Sequence, residues 1–154
     1  MKTSSLCYLI KDNRVLLAKK KRGFGVGKWN GVGGKINPGE NIEETALREL
    51  KEEIGILASI RDLESMGLIR FRSENKEYNW NSHLFFLKNW EGNPSESEEI
   101  YPDWYSYDSI PYELMFPDDV HWFPMVLSGK KIDADFRLDK EGKNIIDFSI
   151  REIV

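Results

Sequence analysis

Cysteine is nearly missing from this chain. Cys7 stands alone among 154 residues, so no internal disulfide can form, and with only His83 and His121 beside it a Cys/His zinc site has too few ligands. A single reduced thiol fits a cytoplasmic setting. Long apolar runs are missing too: nowhere do about 18 apolar residues stand together, and the apolar part of the opening MKTSSLCYLIKDNR is too short for the core of a signal peptide. Nor is there an excess of basic charge. With 22 Lys and Arg against 26 Asp and Glu, the net charge of −4 gives no general attraction to a nucleic acid polymer or an anionic membrane. What is present, 40% hydrophobic and 31% charged residues, describes one ordinary globular domain over 1–154 with room for a real core, and a monomer is expected.

Apolar runs at 4–10 and 14–18 flank Lys11-Asp12-Asn13 and predict a hairpin with a polar turn. Glycines then crowd in at 23, 25, 27, 31, 33, 34 and 39, which predicts a loop-rich region able to approach a ligand closely. Asn41 with Glu44 reads as a capping box and Gly55 as the residue just past a helix end, so a helix is expected over about 41–54. Strand-like runs follow at 66–72, 82–87 and 104–107, and a last hairpin at 132–138 and 146–150. Asp118–Leu127 predicts a second helix with an irregularity at Pro124. The order of elements predicts an α/β domain, a mixed sheet with helices on its faces.

The first helix carries an unusual load of acid. On a helical wheel Ile42, Ala46, Leu47, Leu50 and Ile54 fall within roughly 140° and form the core-facing stripe, while Glu49, Glu52 and Glu53 cluster beside it. Glu53 lands inside the edge of that stripe, at the border of the core. A solvated acidic face is the plain alternative, since like charges one turn apart cost only a few tenths of a kcal/mol.

The spacing favours the functional reading. Gly34, five residues, Glu40, seven residues, Arg48-Glu49-Leu50, one residue, Glu52-Glu53, one residue and Gly55-Ile56 resembles the Nudix box, here over 34–56. Its fixed positions would recur by chance on the order of 10⁻⁸ per window. The resemblance implies a Nudix fold, a mixed sheet between helices. It also implies a loop-helix-loop that binds divalent metal, Mg²⁺ or alternatively Mn²⁺, and hydrolyses a diphosphate linked to another group. Such chemistry suits the residues. Carboxylates are hard oxygen ligands, and a triphosphate cannot approach them without cations between. Divalent ions also activate water and stabilise charge on leaving pyrophosphate. By carry-over Glu49 and Glu53 are direct ligands, Glu52 a ligand through water or a base, and Arg48 the residue that holds Glu49 or a neighbouring carboxylate. Glu40 is expected to fix the loop, or equally to serve as an acidic charge at the helix start.

Beyond the box, Lys20-Lys-Arg-Gly-Phe-Gly-Val-Gly-Lys-Trp-Asn-Gly-Val-Gly-Gly-Lys35, Phe116-Pro-Asp-Asp-Val-His-Trp-Phe-Pro124 and the Ile150-Arg-Glu-Ile153 end are similar to the animal-type oxidised purine nucleoside triphosphatases. That resemblance implies a purine nucleoside triphosphate as substrate, attacked by water at the β-phosphorus. Asn30, Phe116, Asp118 and Asp119 would read the base, with Phe24 and Trp122 shaping the pocket and Ser5 and Lys20 lining it. Glu99 would be a distant metal ligand, and Gly33, by its carbonyl, with Gly34 and Lys35 would form the metal and phosphate loop. Asp118 could instead merely cap the second helix. His83 reads as structural, and Trp80, Trp90 and Trp104 as packing. The chain departs from the animal pattern at Phe116, where Trp stands, at Trp80 and Asn81, where Met and Asp stand, and at Ser5, where Thr stands. These departures bear on base preference and not on hydrolysis. The competing readings are a Nudix hydrolase of dinucleoside polyphosphates or other nucleoside diphosphate derivatives, and a Nudix-fold module that binds a nucleotide without cleaving it.

Overall fold

The computed structural model describes residues 2–154. β1 (Lys2–Lys11) and β2 (Arg14–Lys20) form the expected hairpin around Asp12 and Asn13, both at positive φ, the conformation that a two-residue turn demands and that Asp and Asn tolerate best. After β3 (Trp29–Asn30) and β4 (Val32–Lys35) comes α1 (Ile42–Ile54). β5 (Leu63–Arg72), β6 (Trp80–Leu87), β7 (Ile100–Ser106), α2 (Asp119–Leu127), β8 (Lys131–Leu138) and β9 (Ile145–Ile153) follow. The strands join in one mixed sheet of order β3-β2-β1-β6-β5-β8-β9, with β4 added to β1 and β7 to β2. β1 runs parallel to β6, from Lys2 opposite Trp80 to Leu9 opposite Leu87, and its first half also pairs with β4, Ser5 opposite Gly34.

Successive residues of β1 and β2 feed opposite faces of the sheet. Cys7, Leu9, Leu16 and Ala18 pack with Ala46, Leu50 and Ile54 of α1, whereas Tyr8, Ile10, Val15 and Leu17 pack with Trp122, Phe123 and Val126 of α2. Both faces are covered, which is why these strands read as continuous apolar runs and not as alternating ones. α1 has the predicted ends: the Asn41 side chain accepts from the Glu44 N–H, Glu44 returns the bond, and Gly55 closes the helix at φ 72.

Several boundaries differ from expectation: β5 begins at Leu63 and not 66, β9 runs on to Ile153, and the glycine-rich stretch expected as loop contains β3 and β4. β7 begins at Ile100, four residues before 104, and takes in Pro102 opposite Ala18; β7 pairs only with β2, and an edge strand tolerates a residue that has no N–H. α2 begins at Asp119. Asp118 occupies the cap position with helical backbone angles and makes no side-chain cap bond, so the capping role considered for it is not realised. The helix continues through Pro124 to Leu127; the ring removes one donor, and the Val120 carbonyl is the group left without it.

Candidate active site

A cavity of about 490 Å³ opens at the end of the sheet where β1, β4 and β6 meet, and it straddles β1 so that one half faces α1 and the other α2. Every residue expected to touch substrate lines it. Ser5, Lys20 and Gly34 stand on the α1 side with Glu53, and Gly33 and Lys35 alternate with Gly34 along β4. Phe24, Asn30, Phe116, Asp118, Asp119 and Trp122 stand on the α2 side.

On the α1 side the organising group is Arg48. Its guanidinium donates from Nε and Nη2 to the two oxygens of Glu40 at 2.7 and 3.0 Å, from Nη1 to Glu49 at 2.7 Å and Glu52 at 3.3 Å, and from Nη2 to the Lys35 carbonyl at 3.0 Å. One cation thereby ties the glycine-rich strand to the acidic helix. Glu40 also accepts from the Asn37 N–H at 3.0 Å and from the buried Thr45 hydroxyl at 2.8 Å, so it anchors the loop; the Arg48 bond, first among these, holds its pKa down at about 2. Thr45 was not foreseen. Nothing in a lone helical threonine signals that it will bond a carboxylate five residues back.

Glu49 is largely buried against Gly34, where a Cβ would lie 2.4 Å from Glu49 Oε1; a strand residue without a side chain is what lets the carboxylate reach the cavity wall. Glu53, one turn on, is half-buried, as its place on the wheel predicts, and desolvation with the Glu49 charge beside it pushes its pKa up to about 8. Two carboxylates held together away from water, one of them forced to keep a proton, form a pair that a hard divalent cation would discharge. This donor set fits such an ion, with Glu49 and Glu53 as the residues that would hold it. Of the wider expected set, Glu99 lies near enough for its charge to add to the rise of the Glu53 pKa. Glu52 is exposed on Arg48, Glu99 is bound by Arg22 with Nε donating at 3.0 Å, and among the described residues no three acidic, His or Cys side chains are disposed around one point. Arg22 accordingly holds the Glu99 carboxyl below the ordinary range.

On the α2 side lies a pair of buried carboxyls. Asp118 accepts from Trp122 Nε1 at 2.8 Å and Asp119 from the Phe116 N–H at 3.1 Å. Burial raises both pKa values, that of Asp119 well above the usual range, with the Asp118 charge adding to it. Such groups can donate as well as accept hydrogen bonds toward a ligand. Phe24, exposed, stacks on Phe116 at 5.8 Å, and Lys28 Nζ lies 5.7 Å above the same ring, a cation that sequence reading passed over. Ser5 is fully buried and its Oγ is a buried side-chain polar atom with no partner among the described residues. Trp80, expected to serve packing, lines the cavity, whereas Trp90 and Trp104 stack on one another elsewhere. His83 lies in the β1–β6–β5 ladder, outside the cavity lining, its pKa lowered by burial.

An Arg-organised acidic helix beside a glycine strand, on a mixed sheet with a helix on each face, defines a Nudix hydrolase site, and the NUDIX domain family matches residues 2–126; the chain belongs to that family. It is 42% identical over 149 residues to the oxidized purine nucleoside triphosphate hydrolase of Mus musculus, spanning 97% of this chain and 94% of that one. To the protein of the same name in Danio rerio it is 41% identical, over 94% and 90% of the two chains. Among solved structures, a MutT protein from Bacillus halodurans superposes with a TM-score of 0.81 at 25% identity, covering 97% of each chain. No helix among the described residues is long and apolar enough to cross a membrane.

Proposed function

We propose that this protein hydrolyses oxidised purine nucleoside triphosphates, of the 8-oxo-dGTP and 2-hydroxy-dATP kind, to the monophosphate and pyrophosphate, and so keeps damaged purines out of the nucleotide pool. The observation that carries the reading is one continuous cavity that runs from Glu53 and the glycine strand to the Asp118–Asp119 pair. Its two ends suit a molecule with phosphates at one end and a purine at the other, and the two vertebrate relatives bear the name of this activity.

In this reading Asn30, Asp118 and Asp119 take the polar edge of the base, and Phe24, Phe116 and Trp122 bound its ring. Lys20, Lys35 and the backbone of Gly33 and Gly34 lie along the phosphates. Glu49 and Glu53 hold a divalent cation, Mg²⁺ or Mn²⁺, which when bound offsets phosphate charge and activates water. Glu52 and Glu99, each paired with an arginine, would complete the set. Arg48 keeps Glu49 aimed. All of the lining lies between Lys2 and Ile145, which supports action as one domain. With Cys7 a lone free thiol and no disulfide to form, we place the protein in the cytoplasm.

The test is kcat/KM for a panel of oxidised and normal purine triphosphates with products identified, run with Mg²⁺ and with a chelator. Preference for an oxidised base, release of pyrophosphate and loss of turnover on chelation are expected. Faster cleavage of dinucleoside polyphosphates would overturn the substrate assignment, and nucleotide binding without turnover would overturn the enzyme.

A further inference from the structure

Asn30 is held by its oxygen. The Gly31 N–H donates to Asn30 Oδ1 at 2.8 Å, and the Tyr8 hydroxyl donates to the same atom at 3.4 Å. A primary amide whose oxygen is occupied by two donors has only its nitrogen left to offer, and that group donates and cannot accept. Among the described residues no acceptor meets Nδ2, and Asn30 lines the cavity.

The two anchors differ in kind. The Gly31 bond comes from the next residue and would follow Asn30 wherever its loop went. Tyr8 reaches Asn30 across 22 positions from the middle of β1, with its ring fully buried, tilted against Phe123 at 4.8 Å, and with Phe86 and Trp122 in edge contacts. Gly31 makes room for that ring, since a Cβ there would lie 2.7 Å from Tyr8 Cζ. The phenol is also a permanent donor. Burial first, and then the charges of Asp119 and Asp118, raise its pKa well above the ordinary value.

We infer that Tyr8 is a positioning residue that fixes the Asn30 amide with its nitrogen toward the substrate base, and thereby biases the site toward purines that present a carbonyl oxygen there over purines that present an amino group. The inference rests on the proposed role of Asn30 in reading the base. Without the Tyr8 hydroxyl the amide is freer to turn and to offer its oxygen, which an exocyclic amino group can use.

The test is Tyr8→Phe, which keeps the ring and removes one hydroxyl. The ratio of kcat/KM for 8-oxo-dGTP, with its 6-oxo group, to that for 2-hydroxy-dATP, with its 6-amino group, should fall roughly three- to tenfold, the factor that one hydrogen bond of ordinary net worth represents. The change should enter through KM with kcat little altered, and the Asn30 side-chain NH₂ resonances should shift or broaden while the thermal midpoint stays near that of the parent. An unchanged ratio in the folded variant, or an equal fall for both substrates through kcat, would overturn the inference. Should Tyr8→Phe not fold, 3-fluorotyrosine at position 8, a stronger donor of nearly the same shape, must move the ratio the opposite way, and failure to do so counts equally against the inference. Asn30→Ala is measured in parallel. If it leaves the ratio untouched, the reading of Asn30 itself is wrong; if it shifts the ratio and Tyr8→Phe does not, only the role of Tyr8 is lost.

Discussion

Glu53 sits at the border between core and solvent, and its behaviour follows from that position. Glu53→Gln keeps the volume and removes the charge, so turnover should fall by roughly 10²-fold or more while the circular dichroism spectrum is retained. A folded variant with near-parental kcat would remove Glu53 from the catalytic set. Glu52→Gln should cost less, because Glu52 is exposed and only one Arg48 contact holds it. Asp119 lies on the other side of β1, and in the proposed reading it bears on base preference. Fixed as a neutral amide, Asp119→Asn should change the ratio of kcat/KM for 8-oxo-dGTP to that for 2-hydroxy-dATP by more than about tenfold, or about 1.4 kcal/mol, with the Mg²⁺ requirement preserved. If both rates fall together and the ratio holds, the pair is structural. The same variant reports on stability. Both carboxyls have folded pKa values above the ordinary 3.8, so the folded chain keeps protons that the unfolded chain releases as pH rises past that value. Their contribution is absent below about pH 4 and becomes increasingly destabilising above it, until the folded pair ionises. Thermal midpoints against pH should therefore show Asp119→Asn gaining on the parent between pH 4 and neutrality, about 4 being the ordinary carboxyl range.

At the scale of elements, α1 is a helix with separable duties at its two ends. Its first turn is fastened by the Asn41–Glu44 capping box, with bonds of 2.9 and 3.0 Å. Asn41→Ala should cost about 1 kcal/mol in urea denaturation and leave substrate preference where it was. Its active face depends on β4. A methyl group at Gly34 would lie 2.4 Å from Glu49 Oε1, so Gly34→Ala should push the carboxylate aside and lower kcat, since a misplacement of about 1 Å costs up to about 10²-fold. Unfolding should be affected far less than turnover; an inactive Gly34→Ala protein that has also lost its fold would mean that the glycine serves β1–β4 pairing and not the site. α2 shows why such duties are hard to read in advance. Asp118 has the residue type and the place of a cap, and its carboxyl is instead turned to Trp122.

Across the whole molecule the sheet sets α1 and its acids on one face and α2 with its carboxyl pair on the other, joined through the cavity at the end of β1. A divalent ion that binds only the folded chain must stabilise it by mass action, so Mg²⁺ should raise the thermal midpoint of the parent and raise that of Glu53→Gln much less. Equal shifts in both would place the ion elsewhere. Much of this plan is determined by the sequence itself. Local rules are written in neighbouring residues, so the Asn41–Glu44 cap, the Gly55 stop and the Asp12–Asn13 turn were legible, as was the acidic face of α1, and the box spacing with the flanking Phe24, Asn30 and Asp118–Asp119 segments pointed to the site. What tertiary structure alone decided are contacts between residues far apart in the chain. Glu99 lies against Arg22, the Tyr8 ring reaches Asn30, and β7 extends back through Pro102, because partner strands and burial, not local preference, chose those arrangements. Burial also raised the pKa values of Glu53, Asp118 and Asp119, and desolvation depends on how many distant atoms the fold packs around a group, which no window of sequence contains.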